Sequence, residues 1–185
     1  MTNLIIIAIS GPHGSGKSTI AKAIAKELNL RYVSAGEIFR KKAKELGLDI
    51  IEFSKYVAEH PEIDIEIDEE MKKEARKGNV VLDSQLAYWM VRELNPISIL
   101  VIANKEDRIR RIMQREGVSY EKAKEDVEIR DRIEKERFKR LYGVDLWNLN
   151  DFHVVINTSK LTKEESIKVA VSVCKALLEG GEQNE

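Results

Sequence analysis

The sequence has little cysteine, proline or aromatic content, and no excess of charge of either sign. Cys174 is its only cysteine, so no disulfide can form within the chain, and we expect a reducing, cytoplasmic environment. A formal net charge of −1 provides no general attraction for nucleic acid or for a membrane surface. The apolar run Leu4–Ile9 is too short to cross a membrane and lacks the layout of a signal peptide. We therefore expect neither a nucleic-acid partner nor a membrane.

A glycine-rich run follows this apolar segment and fits the pattern G-x-x-x-x-G-K-[ST] without a gap. The segment before the run predicts a short buried strand, and the residues after Ser18 have the apolar spacing of a helix. Glycines in such a loop let backbone N–H groups surround phosphate oxygens, and the helix N-terminus favours negative charge. The pattern predicts a phosphate loop (P-loop) that holds a nucleoside triphosphate through Gly11, Pro12, His13, Gly14, Ser15, Gly16, Lys17, Ser18 and Thr19.

Three side chains near this loop are candidates for charge stabilisation and metal binding. Lys17 is expected to reach the β- and γ-phosphates, and Ser18 to offer its hydroxyl to Mg²⁺. Asp83 ends a predicted buried strand, where a carboxylate can hold Mg²⁺ through water. The alternative for Asp83 is a cap at the end of the strand.

Apolar patterning predicts an α/β fold in one domain over residues 1–185. Short apolar runs predict five strands, and helical patterns separate them. Two helix starts are marked by paired capping residues, Asp49 with Glu52 and Thr162 with Glu165. Strands alternating with helices favour a parallel sheet covered by helices on both faces, in three layers, with ligands at the carboxyl ends of the strands.

The segment after the fourth predicted strand is rich in charges of both signs and poor in apolar residues. It predicts a pair of helices with little core, which is typical of a movable lid, over about residues 104–150. The apolar support we expect comes from Ile109, Ile112, Met113, Val127 and Ile133. Arg130 and Arg137 are nearly two helical turns apart and share a face, so together they can clamp a phosphoryl group. The alternative is pairing within the helix, for example between Arg130 and Glu134.

These motifs together resemble the nucleoside monophosphate kinases, and specifically the archaeal-type cytidylate kinases. The likeness runs through nearly the whole chain and in the same order. It rests on "ISGPHGSGKSTIAKAIAKEL", "YVSAGEIFR", "EFSKYVAEHPEIDIEID", "GNVVLDSQLAYWM", "RIRRIMQREGVS", "IRDRIEKERFKRLYGVDL" and "HVVINTSK". The first motif is common to many P-loop kinases, whereas the others are more specific.

The resemblance implies the P-loop kinase fold, ATP on the P-loop, and a nucleoside monophosphate held opposite by a helical region at about residues 34–78. It places Ser34, Gly36 and Arg40 in the acceptor site, with Arg40 toward the acceptor phosphate. It matches Arg130 and Arg137 to the paired arginines of the lid. It also implies that Arg111 and Arg115 lie near ATP and that Asn157 lies near the adenine. The protein is expected to be a monomer.

The chain departs from the family pattern at two places. Asp83-Ser84-Gln85 stands where the family usually has Glu-Gly-Arg, and Glu69-Glu70-Met71 stands where it usually has Arg-Arg-Gln. The missing arginine at position 85 is expected to help recognise the acceptor nucleotide, and Gln85 can hydrogen-bond a base edge without charge. We expect ATP-dependent phosphorylation of CMP or dCMP. The alternatives are another nucleoside monophosphate or small metabolite as acceptor, or an ATP-binding protein without kinase activity.

Overall fold

A five-stranded parallel sheet forms the centre of the protein. The computed structural model describes residues 4–144 and 146–181. The strand order is β2-β3-β1-β4-β5, and every neighbouring pair is parallel. The strands are β1 (Ile6–Ser10), β2 (Arg31–Ser34), β3 (Val80–Asp83), β4 (Ile97–Ile102) and β5 (Val154–Asn157). The predicted parallel sheet is confirmed.

Helices cover both faces of this sheet. They are α1 (Lys17–Glu27), α2 (Ala35–Glu45), α3 (Ile50–Glu59), α4 (Pro61–Arg76), α5 (Ala87–Val91), α6 (Lys105–Glu116), α7 (Tyr120–Tyr142) and α8 (Lys163–Gly181). Helices α1 and α8 pack on one face, against a core that contains Ile7, Ile9 and Cys174. Helices α2 to α5 pack on the other face, where Ala8 and Leu82 lie. Both faces of the strands are buried, so the central strands are almost continuously apolar in sequence.

Local sequence signals fix several of the helix boundaries. Asp49 accepts a hydrogen bond from the backbone N–H of Glu52, and the Glu52 side chain accepts one from the backbone N–H of Asp49, which starts α3. Thr162 and Glu165 do the same before α8. The helix predicted at residues 87–94 instead divides into α5 and a 3₁₀ turn at Arg92–Leu94. Pro96 follows so closely that the chain tightens its last turn rather than completing an α-helical one.

Helices α6 and α7 pack together around a small core of their own. That core consists of Ile109, Ile112, Ala123 and Val127, with Met113 and Val118 packed against it. Ile133 is half-buried and lies outside this cluster. None of the helices within the described residues combines the length and apolar character that crossing a bilayer requires.

Candidate active site

A cavity of about 900 Å³ opens at the carboxyl ends of β1, β2 and β3. It is bounded by the P-loop, by α2 and α4, and by the inner faces of α6 and α7. The predicted site residues that line it are His13, Gly14, Gly16, Lys17, Ser18, Thr19, Ser34, Gly36, Arg40, Asp83, Gln85, Arg111, Arg115, Arg130 and Arg137. The fold therefore brings residues from both expected substrate sites and from the lid around one space.

Four predicted residues do not line this cavity, because they build the loops around it. The N–H of Ser15 donates to the carbonyl of Pro12 at 3.2 Å and forms the turn of the P-loop. Gly11 lies against β4, where an added Cβ would stand 2.1 Å from the carbonyl oxygen of Val101. The side chain of Asn157 accepts a hydrogen bond from the N–H of Ser159 at 3.0 Å. Its neighbour Thr158 lines the cavity in its place.

Arg111 connects α6 to the P-loop and to the loop after β5. Its Nη1 donates to Thr158 Oγ1 at 2.8 Å and to the carbonyl oxygens of Gly14 and Ser15 at 3.3 and 3.2 Å. Thr158 Oγ1 in turn donates to the Ser15 carbonyl at 2.7 Å. Gly14 permits this close approach, since a Cβ there would lie 3.0 Å from the backbone oxygen of Arg108 on α6. Helix α6 is thus packed directly against the P-loop.

The P-loop end of the cavity is strongly cationic. Burial lowers the pKa of Lys17, and the Asp83 and Glu134 carboxylates oppose that shift. Burial, together with Arg130 and Lys17, holds the pKa of His13 well below its ordinary value of 6.5. His13 is therefore neutral, and its Nε2 accepts from Arg115 Nη2 at 3.2 Å. Cations crowded at one end of a cavity favour binding of a polyanion such as a triphosphate.

Asp83 and Ser18, the two predicted Mg²⁺ ligands, both line the cavity and carry oxygen atoms of the kind that ligate this ion. Asp83 is 1% exposed, and its Oδ2 accepts from the Tyr32 hydroxyl at 2.6 Å. Burial and the Asp83 carboxylate raise the pKa of Tyr32, so that this hydroxyl remains a donor. A carboxylate can accept about four contacts, so Asp83 retains capacity for a metal or its water. Mg²⁺ takes one or two protein oxygens when phosphates and water complete its octahedron. The residues present fit this ion.

The predicted acceptor end of the cavity begins at the N-terminus of α2. Ser34 caps this helix by accepting from the N–H of Glu37 at 3.2 Å. Gly36 lies beside the Arg40 guanidinium, since a Cβ added there would stand in ordinary contact with Arg40 Nη1 at 3.4 Å. Arg40 itself is exposed and free to turn toward a bound anion. The helix end and its arginine thus face the cavity together.

Only one of the two departures from the family pattern faces the cavity. Asp83, Ser84 and Gln85 all line it, and Gln85 Nε2 donates to Glu134 Oε2 on α7. By contrast, Glu69 and Glu70 are exposed on the outer side of α4. Met71 is fully buried in the core. The cavity lining therefore differs from the family pattern at residues 83–85, while the change at residues 69–71 lies away from the cavity.

The two lid arginines are held in different ways. Arg130 Nη2 lies 3.3 Å from Glu134 Oε1, so the pairing considered as an alternative does occur, yet Arg130 also lines the cavity. Arg137 is 4% exposed, and its Nε lies 2.7 Å from Asp64 Oδ2 on α4. That Nε and the Nη1 make no directed hydrogen bond within the described residues. Arg137 is thus a buried cation on the predicted acceptor side, and its Nε and Nη1 groups can still donate hydrogen bonds to a ligand.

Comparison with known proteins identifies the family to which this architecture belongs. A sequence model of the cytidylate kinase-like family matches residues 6–160. The chain belongs to this family. A cytidylate kinase from Ignicoccus hospitalis is 41% identical over 165 residues, which cover 89% of this chain and 96% of that protein. One from Staphylothermus marinus is 44% identical over 166 residues, which cover 90% and 94%. The predicted family resemblance is confirmed.

Solved structures agree on the fold at lower identity. The crystal structure of an uncharacterized protein from Eubacterium ventriosum has a TM-score of 0.68 and 23% identity, covering 91% of this chain and 97% of that one. Shikimate kinase from Bacteroides thetaiotaomicron has a TM-score of 0.55 and 15% identity, covering 95% and 99%. The predicted three-layer P-loop kinase fold is confirmed.

Sequence reasoning missed three residues that line the cavity, namely Asp64, Glu134 and Thr158. Asp64 lies within one of the motifs that carry the resemblance, but nothing in its spacing shows that it faces Arg137. Glu134 was considered only as a partner of Arg130, and its contact with Gln85 depends on the tertiary fold. Thr158 stands beside the predicted Asn157 and holds Arg111. The helical spacing of Glu134 from both lid arginines was the one signal available in advance.

Asp64 is expected to give the stability of the protein a distinctive pH dependence. Burial raises its pKa from 3.8 to about 6, against the opposing effect of Arg137. The contribution of Asp64 to the free energy of unfolding is therefore fully present below pH 3.8 and is lost as pH rises through 6. The total loss is on the order of 3 kcal/mol. In Asp64→Asn, the free energy of unfolding should no longer decrease in this way between pH 4 and 6.

Denaturant unfolding of both proteins from pH 4 to 7.5 measures this difference directly. The lowered pKa of His13 produces a slope of the opposite sign, but it is common to both proteins and cancels. Glu66→Gln on the exposed side of α4 is the matched control and should follow the parent protein. Parallel curves for Asp64→Asn and the parent protein would contradict the assignment.

Proposed function

We propose that the protein transfers the γ-phosphoryl group of ATP to CMP or dCMP, giving ADP and CDP or dCDP. The observation that carries this proposal is the single cavity that joins the P-loop, the Arg40 side of α2, and the lid arginines Arg130 and Arg137. Membership of the cytidylate kinase-like family supports the same reaction. The chain is then a nucleoside monophosphate kinase.

The donor half of the cavity is proposed to bind ATP. The loop Gly11 to Thr19 surrounds the phosphates with backbone N–H groups, and Lys17 reaches the β- and γ-phosphates. Arg111 and Arg115 extend from α6 over the same end of the cavity. The adenine is proposed to lie beside the loop after β5, near Asn157 and Thr158. Mg²⁺ held by Ser18 and Asp83 neutralises charge on the phosphates when it is bound.

The acceptor half is proposed to bind the nucleoside monophosphate. Arg40 aligns the acceptor phosphate, with Ser34 and Gly36 at the end of α2 beside it. Arg137 approaches the same group from α7, because its contact with Asp64 keeps it on the acceptor side. Asp83 and Gln85 lie at the remaining edge of this half. All of these groups come from one chain, which supports a monomer as the active form.

Transfer itself requires positioning and charge stabilisation rather than a strong base. The attacking atom is an oxygen of the acceptor phosphate, which is anionic at neutral pH. Arg130 and Arg137 stabilise the charge that develops on the transferring group, and such arginines contribute roughly 10³–10⁵ in rate. Enclosure of the reacting groups under α7 excludes water and so prevents hydrolysis of ATP.

The test of the proposed function is ADP release from ATP and Mg²⁺ with CMP, dCMP, UMP, AMP, GMP and dTMP in turn, and without acceptor. We expect kcat/KM to be highest for CMP or dCMP. A preference for another acceptor would assign the protein to a different substrate. Measurable ATP binding without transfer to any acceptor would instead indicate an ATP-binding protein without kinase activity.

Gln85 is expected to contribute to the choice of base. Its Nε2 donates a hydrogen bond to the Glu134 carboxylate, which can only accept. The Gln85 Oε1 is therefore the atom that remains available to accept from a bound base. A carbonyl oxygen accepts from the 4-amino group of cytosine but faces the 4-oxo group of uracil unfavourably. In Gln85→Met the ratio of kcat/KM for CMP over UMP should fall roughly tenfold. An unchanged ratio with unchanged KM for ATP would contradict this role.

A further inference from the structure

Arg108 joins the P-loop to both lid helices through a single buried guanidinium. It lies on α6 and is 6% exposed. Its Nε donates to the backbone carbonyl of His13 in the P-loop at 2.6 Å. Its Nη1 and Nη2 donate to the two carboxylate oxygens of Asp131 on α7 at 2.8 and 2.6 Å. One side chain of α6 thus contacts two other elements of the active site, the P-loop and α7.

Asp131, the partner of this guanidinium, directly follows the lid arginine Arg130 on α7. A bidentate pair between guanidinium and carboxylate fixes both the distance and the orientation of its members. Because α7 is a continuous helix through these residues, fixing Asp131 fixes the backbone of Arg130. Asp131 does not line the cavity, whereas Arg130 does.

The other end of the link is equally well defined. Helix α6 packs against the P-loop so closely that a Cβ on Gly14 would lie 3.2 Å from the Cβ of Arg108. Arg111 adds further hydrogen bonds between α6 and the P-loop. The P-loop therefore fixes the position of the Arg108 Cβ, from which the side chain extends. Arg108 therefore fixes the position of Arg130 relative to the loop that would hold the phosphates.

We propose that Arg108 and Asp131 are positioning residues that set Arg130 over the transferring phosphoryl group. This inference rests on the proposed function. Arg108 donates to a backbone carbonyl of the P-loop, and the N–H groups that would hold ATP are separate from it. Loss of the pair should therefore reduce the rate of transfer rather than the affinity for ATP. A displacement of about 1 Å at a clamping group can cost on the order of 100-fold in rate.

The test compares Asp131→Asn and Asp131→Glu with the parent protein. We expect kcat with CMP to fall roughly 10- to 100-fold in Asp131→Asn, with KM for ATP within about twofold. Asp131→Glu restores the charge and should recover part of the rate. Thermal unfolding of each variant establishes that the folded fraction is unchanged at the assay temperature. A kcat equal to that of the parent protein would overturn the proposal.

The chain provides a matched control in a second ion pair between the same two helices. Lys105 Nζ lies 2.6 Å from Glu128 Oε1, and both side chains are about half exposed, away from the P-loop. Glu128→Gln removes a link between α6 and α7 without touching the one that reaches His13. It should leave kcat within about twofold of the parent protein. An equal loss in Glu128→Gln would show that breaking any ion pair between α6 and α7 lowers the rate, and would overturn the proposal.

A double-mutant cycle separates positioning of Arg130 from a general effect on the fold. If Asp131 acts through Arg130, Asp131→Asn should cost less than about threefold in kcat once Arg130 is already alanine. Full additivity of the two losses would overturn the proposal. A parent protein without transferase activity would overturn the proposed function, and this inference with it. An active parent with additive losses would overturn this inference alone.

Discussion

Lys17→Met is expected to reduce kcat for phosphoryl transfer roughly 10³-fold or more. Lys17 is the first residue of α1, and the left-handed conformation of Gly16 before it turns the chain into the helix. Its ammonium lies in the cavity, where burial lowers its pKa and where Arg130 and Arg115 add to the cationic field. A phosphate group entering this space provides the missing counter-charge. A methionine fills the same volume without that charge.

The matched control for this substitution is Lys26→Met on the same helix. Lys26 is exposed and does not line the cavity, so its replacement should leave kcat unchanged. ADP release with CMP measures the rate of both variants, and thermal unfolding shows whether either has lost its fold. Retention of more than a tenth of the parent activity in Lys17→Met would contradict the catalytic role of Lys17.

Local features of the fold were predictable because each depends on a few neighbouring residues. The capping pairs Asp49 with Glu52 and Thr162 with Glu165 begin α3 and α8, as their spacing predicted. The P-loop also follows from one run of sequence, since strand, glycines and helix are contiguous there. The strand order β2-β3-β1-β4-β5 was not predictable in this way. Apolar patterning shows that a strand is buried, but not which strands lie beside it.

The acceptor side shows how far helical spacing can be taken. The helical spacing of Ile63, Ile67, Met71 and Ala75 predicts that they share one face of α4. Ile67, Met71 and Ala75 are buried, and Ile63 is half-buried. The same periodicity places Glu69 on the opposite side of the helix, and the structure shows that Glu69 and Glu70 are both exposed. The contact of Asp64 with Arg137 could not be predicted in this way, because it joins two helices whose packing the sequence pattern does not specify.

Arg130→Ala is expected to lower kcat far more than it weakens ATP binding. The guanidinium lines the cavity and is held by Glu134 on the same face of α7. Charge develops on the transferring group only as the reaction proceeds, so an arginine directed at that group acts mainly on the transition state. We expect a loss of roughly 10³-fold in kcat. The dissociation constant for ATP should change less than about threefold, because the P-loop and Lys17 remain.

Two companion variants distinguish this role from a structural one. Arg132→Ala removes an exposed arginine two residues further along α7, outside the cavity, and should retain the parent rate. Arg130→Lys keeps the charge beside Glu134, and with it the packing, but lacks the planar fork that reaches a phosphoryl group. If the arginine acts only by neutralising Glu134, Arg130→Lys will be fully active. If it clamps the transferring group, kcat of Arg130→Lys will stay well below that of the parent protein. Single-turnover rates with ATP and CMP distinguish these two roles, because such rates report the transfer step without the contribution of product release.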